Sequence, residues 1–204
     1  MTRTHTKVVA LSREQSQPAE VTLAKALAND PMMAYSFPNV VKRPGRLHWL
    51  CRTCFRYGLR YGAVDAVEGV DGVAVWFRPG FTALTWPRML RAGMLAAPWA
   101  VGWRATRRML TFLRCSATVH SRAIAGPHWY LATLGVRPEC QGQGLGAALV
   151  RHGLERARTD GLPCYLETTT ERAVAFYLKN GFQLVRQGRV TGNGPHVFGL
   201  LAGR

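Results

Sequence analysis

A glycine-rich segment at residues 141–146 could hold a charged ligand. It has the sequence Gln-Gly-Gln-Gly-Leu-Gly and lies between a mostly apolar segment, Trp129–Val136, and a segment with helical spacing of apolar residues. Glycines let main-chain N–H groups converge without side chains in the way, and the N-terminus of the following helix adds partial positive charge. The segment therefore predicts a binding site for a pyrophosphate.

Dinucleotide-binding proteins use a similar loop but place it differently. Their glycines follow the first strand of a strand–helix–strand unit, and an acidic residue closes the second strand about 20 residues later. Here the loop lies late in the chain, and Asp160 follows the helix in a turn. The order of the segments argues against dinucleotide binding.

The pair Cys51-x-x-Cys54 is a second candidate for chemistry, since such pairs bind metal or carry out redox reactions. A metal site needs a second pair of ligands at suitable spacing, and the sequence has none. Both cysteines also fall on the apolar stripe of one predicted helix. Because free cysteine packs as a small hydrophobic residue, we expect buried thiols and no metal.

The size and composition are those of one domain. The chain has 204 residues, of which 48% are hydrophobic and 19% charged, enough to bury a sizeable core. No apolar run reaches the roughly 20 residues that a membrane-spanning helix needs. Met1–Leu11 also lacks the apolar core of a secretory signal. We expect a single domain over residues 1–204 and a cytoplasmic location.

The elements that must position the loop follow a mixed α/β pattern. A helix begins near Pro18 and ends before Pro31, and an Asp-Gly turn within 69–72 joins two strands. Further helices are expected through most of 84–118, after the glycine-rich loop, and at about 46–60 and 171–179. Strands are expected at 7–11, 63–68, 73–78, 129–136, 164–168, 182–188 and 196–201.

Two stretches resemble a known family. HWYLATLGVRPECQGQGLGAALV, at residues 128–150, resembles the central strand and phosphate loop of the GNAT superfamily of acyl-CoA-dependent N-acetyltransferases. The family's loop, Gln/Arg-x-x-Gly-x-Gly/Ala, is matched by Gln141, Gly144 and Gly146. YLETTTERAVAFYLKNGFQL, at residues 165–184, resembles the family's next block. Within the superfamily, the sequence and order of these two stretches are most similar to those of puromycin N-acetyltransferase and its relatives.

The resemblance implies a fold and a co-substrate. The fold would be a mixed sheet of about six to seven strands flanked by helices, with a V-shaped opening between strands 129–136 and 164–168. The co-substrate would be acetyl-CoA, whose pantetheine would pair with the main chain of the first strand and whose pyrophosphate would bind the loop. The implied cofactor-binding residues are Leu134, Gly135, Val136, Gln141, Gly142, Gln143, Gly144, Leu145 and Gly146.

The resemblance also implies direct transfer of acetyl to an amine. Tyr177, which matches the family's Phe-Tyr tyrosine, would protonate the leaving thiolate; the alternative is a core tyrosine. Glu167 is the leading candidate for the base, because apolar surroundings can raise the pKa of a carboxyl group. The alternative is a strand-end glutamate held by backbone or arginine partners. Weaker candidates are His128 as a base, and His196 and Asp30 as residues of the amine pocket.

A helical, basic, tryptophan-rich segment at 85–118 is not explained by the resemblance. The formal charge of the chain is +16, and residues 72–138 contain no Asp or Glu. The Trp and Met side chains of Trp86–Arg114 could wall an aromatic substrate pocket or pack in the core. Its arginines could form a solvated face or contact an anionic membrane or RNA. A positive pocket would bind a cationic amine poorly, so we expect the arginines outside it unless the substrate also carries an acidic group.

The sequence therefore predicts an acetyl-CoA-dependent N-acetyltransferase that acts on a primary amine of a small molecule, such as an aminonucleoside or another amine antibiotic. It would act as a monomer or homodimer. Nucleic acid is not an expected partner, because no known nucleic-acid-binding motif is present. The alternatives are a catalytically degenerate regulator that binds acyl-CoA, and a basic protein that binds nucleic acid or membrane surfaces.

Overall fold

The computed structural model describes residues 6–203. The first five residues of Met1–Leu11, the segment that lacks the apolar core of a secretory signal, therefore lie outside the described residues. Within this range seven strands form one sheet in the order β1-β2-β3-β4-β5-β7-β6. Only the β4–β5 pair is parallel among the described pairs. The strands are β1 Val8–Ala10, β2 Gly62–Val67, β3 Gly72–Phe77, β4 Trp129–Val136, β5 Cys164–Thr168, β6 Gln183–Arg189 and β7 His196–Ala202. The predicted α/β class and central sheet are confirmed.

The helices flank both faces of the sheet. They are α1 Ser16–Ala26, α2 Pro31–Ser36, α3 Arg43–Tyr61, α4 Trp86–Ala92, α5 Ala97–Ala100, α6 Trp103–Ala123, α7 Leu145–Thr159 and α8 Glu171–Lys179. Helix α2 was not predicted. Helix α1 ends at Ala26, before Pro31, and Pro31 begins α2. Asp30 is the N-cap of α2 and accepts a hydrogen bond from the Met32 N–H at 2.8 Å.

The predicted Asp-Gly turn between β2 and β3 is wrong. The positive φ angles fall instead at Gly69 (87°) and Val70 (61°), and Gly72 already belongs to β3. The Val70 N–H donates to the Val67 carbonyl at 2.8 Å, and the Val70 carbonyl accepts from the Thr22 hydroxyl at 2.7 Å. A contact with α1 thus helps to hold a β-branched residue in a conformation that it rarely adopts.

Each face of the sheet carries its own core. On one face, α7 and α8 cover a cluster that contains Trp76, Leu149 and Leu166. On the other face, α1 and α3 cover a cluster that contains Phe55 and the buried thiol Cys51. Successive side chains of a strand point to opposite faces, so β4 supplies Leu131 to the first cluster and Tyr130 to the second. Strand β5 supplies Leu166 to the first cluster, while its Tyr165 packs with Ala123 of α6.

The segment from α4 to α6 is helical and broken, as predicted, with positive φ at Gly93 and Gly102. Its buried side consists mainly of small residues, including Ala97 and Ala105. Its three tryptophans are 74–82% exposed, so neither the pocket nor the core interpretation holds for them. Alanines let these short helices lie close to their neighbours, and the bulky indoles are left on the outer side. In the described range, no helix is long and apolar enough to cross a membrane.

Candidate active site

A V-shaped opening divides the centre of the sheet. Strands β4 and β5 pair only where Trp129–Leu131 meets Cys164–Leu166. Just beyond this point the β3–β4 register shifts by one residue, which makes Ala132 a bulge. Bulges bend a strand, and this one lies where β4 leaves β5. Residues 133–136 therefore have main-chain groups on the β5 side that no strand of the described chain pairs with.

The glycine-rich loop continues from the open end of β4 into α7. Gly142 and Gly144 have φ angles of 79° and 83°, and Gly144 is the N-cap of α7. A Cβ atom at either glycine would meet nothing within 4 Å, so backbone conformation rather than space makes glycine suitable there. The Gln141 side chain donates to the Val136 carbonyl at 3.1 Å and ties the loop to β4.

The other predicted cofactor residues surround this junction. Gln143 is exposed, while Leu134 and Leu145 pack against the core under α7. A Cβ atom at Gly135 would lie 2.8 Å from the Ala26 Cβ, so α1 covers that face of β4. A Cβ atom at Gly146 would lie 3.4 Å from the Phe176 ring, where α7 approaches α8. The structure brings all nine predicted residues to one end of the opening.

Glu167 is a buried carboxyl group at the base of the opening. Its side chain is 5% exposed, and the Tyr130 hydroxyl donates to its Oε2 at 2.5 Å. Its Oε1 has no hydrogen-bond partner among residues 6–203. Burial raises the pKa of Glu167 to about 7, although the hydroxyls of Tyr130, Tyr165 and Ser116 act to lower it. A carboxyl group with this pKa can accept a proton near neutral pH.

Two histidines extend from Glu167 toward the protein surface. His120 Nδ1 lies 3.9 Å from Glu167 Oε1, and His120 Nε2 lies 2.8 Å from His128 Nε2. His128 Nδ1 lies 2.8 Å from the Gly126 carbonyl, which can only accept. His128 Nδ1 must therefore carry a hydrogen, and its Nε2 accepts from His120 Nε2. This assignment leaves the lone pair of His120 Nδ1 directed toward Glu167.

Both imidazoles favour the neutral form at neutral pH. Burial and the neighbouring His128 lower the pKa of His120 to about 4. Burial also lowers the pKa of His128, and its backbone hydrogen bond opposes this shift. The 3.9 Å between His120 Nδ1 and Glu167 Oε1 is too long for a direct hydrogen bond, so the row of Glu167, His120 and His128 toward the exposed Gly126 could pass a proton only through a bridging water.

Tyr177 lies on the opposite face of the sheet from Glu167. It is buried beside Phe176 and Phe182 in the cluster that also contains Leu166. Burial raises the pKa of its phenol, with smaller contributions from Cys164 and Asp30, so the hydroxyl keeps its proton at neutral pH. The two candidate residues are separated by the sheet everywhere except at the opening between β4 and β5.

The two weaker candidates for the amine pocket, Asp30 and His196, differ in their contacts. Asp30 caps α2 and accepts a hydrogen bond from the Thr169 hydroxyl at 3.1 Å, so its carboxylate links two loops beside the opening. His196 is exposed and stacks on Phe198. Sequence reasoning missed Tyr130 and His120. Tyr130 was overlooked because it lies within the mostly apolar sequence of β4. His120 was overlooked because no local sequence pattern connects a histidine on α6 with β5.

A phosphate loop at the open end of a splayed parallel strand pair defines the acyl-CoA acetyltransferase class of folds. The family described as Acetyltransferase (GNAT) matches residues 76–182. The chain therefore belongs to the GNAT acetyltransferase family, whose members use acetyl-CoA, and it is an acetyltransferase.

Several solved structures share this fold. A histone acetyltransferase HPA2 and related acetyltransferase from Corynebacterium glutamicum is 23% identical, with 96% of this chain and 94% of that chain covered and a TM-score of 0.67. A polyamine N-acetyltransferase from Drosophila melanogaster is 16% identical, with 97% and 100% covered and a TM-score of 0.61. The PaiA N-acetyltransferase from Thermoplasma acidophilum, solved with coenzyme A, is 12% identical, with 97% and 98% covered and a TM-score of 0.55.

Proposed function

We propose that this protein transfers an acetyl group from acetyl-CoA directly to a primary amine of a small molecule, with Glu167 as the base. The observation that carries the proposal is the buried carboxyl group of Glu167, with one unpartnered oxygen, at the base of the opening. A buried carboxyl group without an ion-pair partner lowers the stability of the fold, and groups of this kind are concentrated at functional sites.

In this proposal the open end of β4 and the glycine-rich loop hold acetyl-CoA. The free main-chain groups of Leu134–Val136 pair with the pantetheine amides as an added strand would. The N–H groups of residues 142–146 and the N-terminus of α7 bind the pyrophosphate. The left-handed glycines and the 15-residue helix behind them support this assignment. A relative solved with coenzyme A also has this fold.

The reaction uses one group from each face of the sheet. The amine nitrogen attacks the thioester carbonyl carbon, and the C–S bond breaks as the C–N bond forms. Glu167 accepts the proton that the nitrogen loses, and the Tyr177 hydroxyl donates a proton to the leaving sulfur. His120 and His128 act as positioning residues, because His120 lies beside Glu167 and His128 hydrogen-bonds to His120. With a water between Glu167 and His120, they carry the accepted proton outward.

The acceptor in this proposal has an aromatic part, as an aminonucleoside does. The rings of Tyr130, Tyr165 and Phe77 lie on the Glu167 face of β3, β4 and β5, with the Phe77–Tyr130 and Tyr130–Tyr165 centroids 5.7 and 6.1 Å apart. Tyr165 and Phe77 are buried, so Tyr130 is the ring of this group that a flat, partly apolar substrate could contact. A relative named as a polyamine acetyltransferase supports an amine acceptor but not an aromatic one.

The proposal is tested by two measurements on the purified protein. Calorimetric titration with acetyl-CoA should show saturable one-to-one binding. A panel of puromycin, other aminonucleosides and polyamines is then screened for release of CoA by chromatography, since free cysteines that are not buried, such as Cys140, would react with a thiol reagent. Binding without CoA release from any amine would indicate an acyl-CoA-binding regulator. Absence of acetyl-CoA binding would reject the proposal.

Replacing Tyr177 by phenylalanine tests the proposed acid. Because the ring stays in place, we expect acetyl-CoA affinity and melting temperature close to those of the wild type. We expect kcat to fall about ten- to a hundredfold, since protonation of the thiolate would depend on water. Stopped-flow single-turnover measurements separate this step from product release. Unchanged turnover would remove Tyr177 from the mechanism.

Replacing His120 by phenylalanine tests the proton path. The phenyl ring can keep the stacking against Tyr130 and Tyr165, whose centroids lie 5.3 and 4.5 Å from that of His120. We expect kcat to fall roughly tenfold with KM for both substrates unchanged. Added imidazole should restore part of the loss in the H120A variant, whose small side chain leaves room for it, and not in H120F. A defect confined to KM or to thermal stability would assign His120 a purely structural role.

A further inference from the structure

The outer side of the α4–α6 segment is apolar and unprotected. Trp99 is 82% exposed, Trp86 75% and Trp103 74%, and Leu90 is 64% exposed. Indole rings exposed to this extent are uncommon in a folded protein, and clustered exposed apolar side chains indicate an interaction surface. The exposed residues alternate with buried alanines along the same short helices, so they belong to ordered secondary structure.

These side chains follow helices that lie against α3. Ala92 of α4 packs in the cluster that contains Cys51 and Phe55, while Ala97 and Val101 pack with Leu47. Both short helices therefore turn their small residues toward α3. Trp86 and Leu90 are one helical turn apart on the exposed side of α4, and Trp99 is on the exposed side of α5.

Helix α6 continues the surface with a mixed stripe. Trp103, Arg107, Leu110 and Arg114 follow one another at spacings of three or four residues and are all exposed. The opposite side of α6 is buried through Ala105, Met109 and Phe112, among others. The outer stripe thus alternates apolar side chains with guanidinium groups along the length of the helix.

The charge of this surface has one sign. Residues 72–138 contain nine arginines and no acidic residue. Within residues 6–203, the four arginines named here form no ion pair: Arg91, Arg104, Arg107 and Arg114. Such a face attracts a polyanionic surface.

We propose that residues 86–114 form a docking surface for an anionic phospholipid bilayer. Tryptophans insert at the headgroup level, where the ring is apolar and the indole N–H can bond to water or lipid. The arginines contact lipid phosphates while their stems lie on the apolar boundary. No described helix can span a bilayer, so the protein binds at the interface.

Other occupants fit less well. A second copy of the chain would bring the same positive charge against this face, which opposes a symmetric dimer. Nucleic acid would use the arginines and indoles but would gain nothing from the aliphatic side chains of Leu90 and Leu110, which cannot stack on bases. An interface with alternating tryptophan, leucine and arginine matches the boundary between headgroups and acyl chains.

The test is co-sedimentation of the full-length protein with vesicles of phosphatidylcholine alone, or of phosphatidylcholine and phosphatidylglycerol in equal amounts. We expect binding to the anionic vesicles that weakens as salt is raised, and little binding to the neutral ones. The R104Q/R107Q variant should bind about thirtyfold more weakly, because each arginine near a lipid surface contributes about a fivefold factor. The W99A/W103A variant should lose about tenfold or more.

Matched controls distinguish this surface from charge or apolarity elsewhere. R151Q removes an exposed arginine from α7, and L184A removes an exposed leucine from β6. Both should bind vesicles as the wild type does, and all four variants should keep their affinity for acetyl-CoA. Equal binding to neutral vesicles, no binding to either kind, or equal effects of the controls would overturn the proposal. Self-association that buries the tryptophans, or preferential binding to RNA or to an acidic protein, would also overturn it.

Discussion

Replacement of Glu167 by glutamine is expected to lower kcat by about a hundredfold or more, with acetyl-CoA affinity unchanged. Glutamine has the same shape and can accept the Tyr130 hydrogen bond, but it cannot take a proton from the amine. The measurement is steady-state turnover together with calorimetric titration of acetyl-CoA. A variant with wild-type turnover would show that another group is the base.

The control is the pH dependence of kcat/KM for the wild type and for the E167Q variant. The base must be ionised, and burial raises the pKa of Glu167 to about 7. For the wild type, kcat/KM should therefore be low well below pH 7 and rise as the pH passes through it. The acceptor amine also loses a proton with rising pH, so two amines of different pKa are compared. A rise near pH 7 that is common to both amines and absent from the glutamine variant identifies the carboxyl group.

Replacement of Gly144 by aspartate is expected to weaken acetyl-CoA binding about a hundredfold. Aspartate adopts a positive φ more readily than most residues and is a favourable N-cap, so the start of α7 can still form. Its carboxylate would stand where the cradle must accept a pyrophosphate, and repulsion between charges a few ångströms apart has this magnitude. Calorimetric titration with acetyl-CoA measures the loss.

Replacement of the same glycine by asparagine separates charge from shape. Asparagine matches aspartate in size and in tolerance of the left-handed conformation but carries no charge. We expect its affinity to stay within about tenfold of the wild type. Equal losses in both variants would mean that a side chain of any kind blocks the loop. If both variants bind acetyl-CoA as tightly as the wild type does, the pyrophosphate does not bind at this loop.

The residues proposed to bind the cofactor could be selected from the sequence. A pyrophosphate needs converging N–H groups, and a run of glycines before a helix supplies them, so residues 141–146 carry a local signal. The bounds of β4, β5 and α8 agree with the structure because each has an uninterrupted pattern and a clear stop. The roles of Tyr177 and Glu167 stay predictions, since they depend on a bound substrate.

The surroundings of Glu167 could not be predicted, because they arise from tertiary contacts. Tyr130 reaches the carboxyl group because two parallel strands align it, and His120 lies beside it because α6 packs on the neighbouring strands β6 and β7. The exposure of the three tryptophans could not be predicted either. Helical spacing of apolar residues indicates that a helix has a buried and an exposed face, but it does not identify which residues lie on each. The small residues between them were the overlooked signal.

The opening between β4 and β5 also affects how substrates reach one another. In the proposed mechanism, acetyl-CoA binds at the phosphate loop and the acceptor approaches Glu167 from the other face of the sheet, so donor and acceptor would have separate entrances and meet inside the gap. Neither would block the route of the other, so the order of binding would be set by affinity and not by obstruction. A single molecule that joins the CoA sulfur to an amine through a short linker would then pass through the opening between β4 and β5. It would contact the protein on both faces of the sheet.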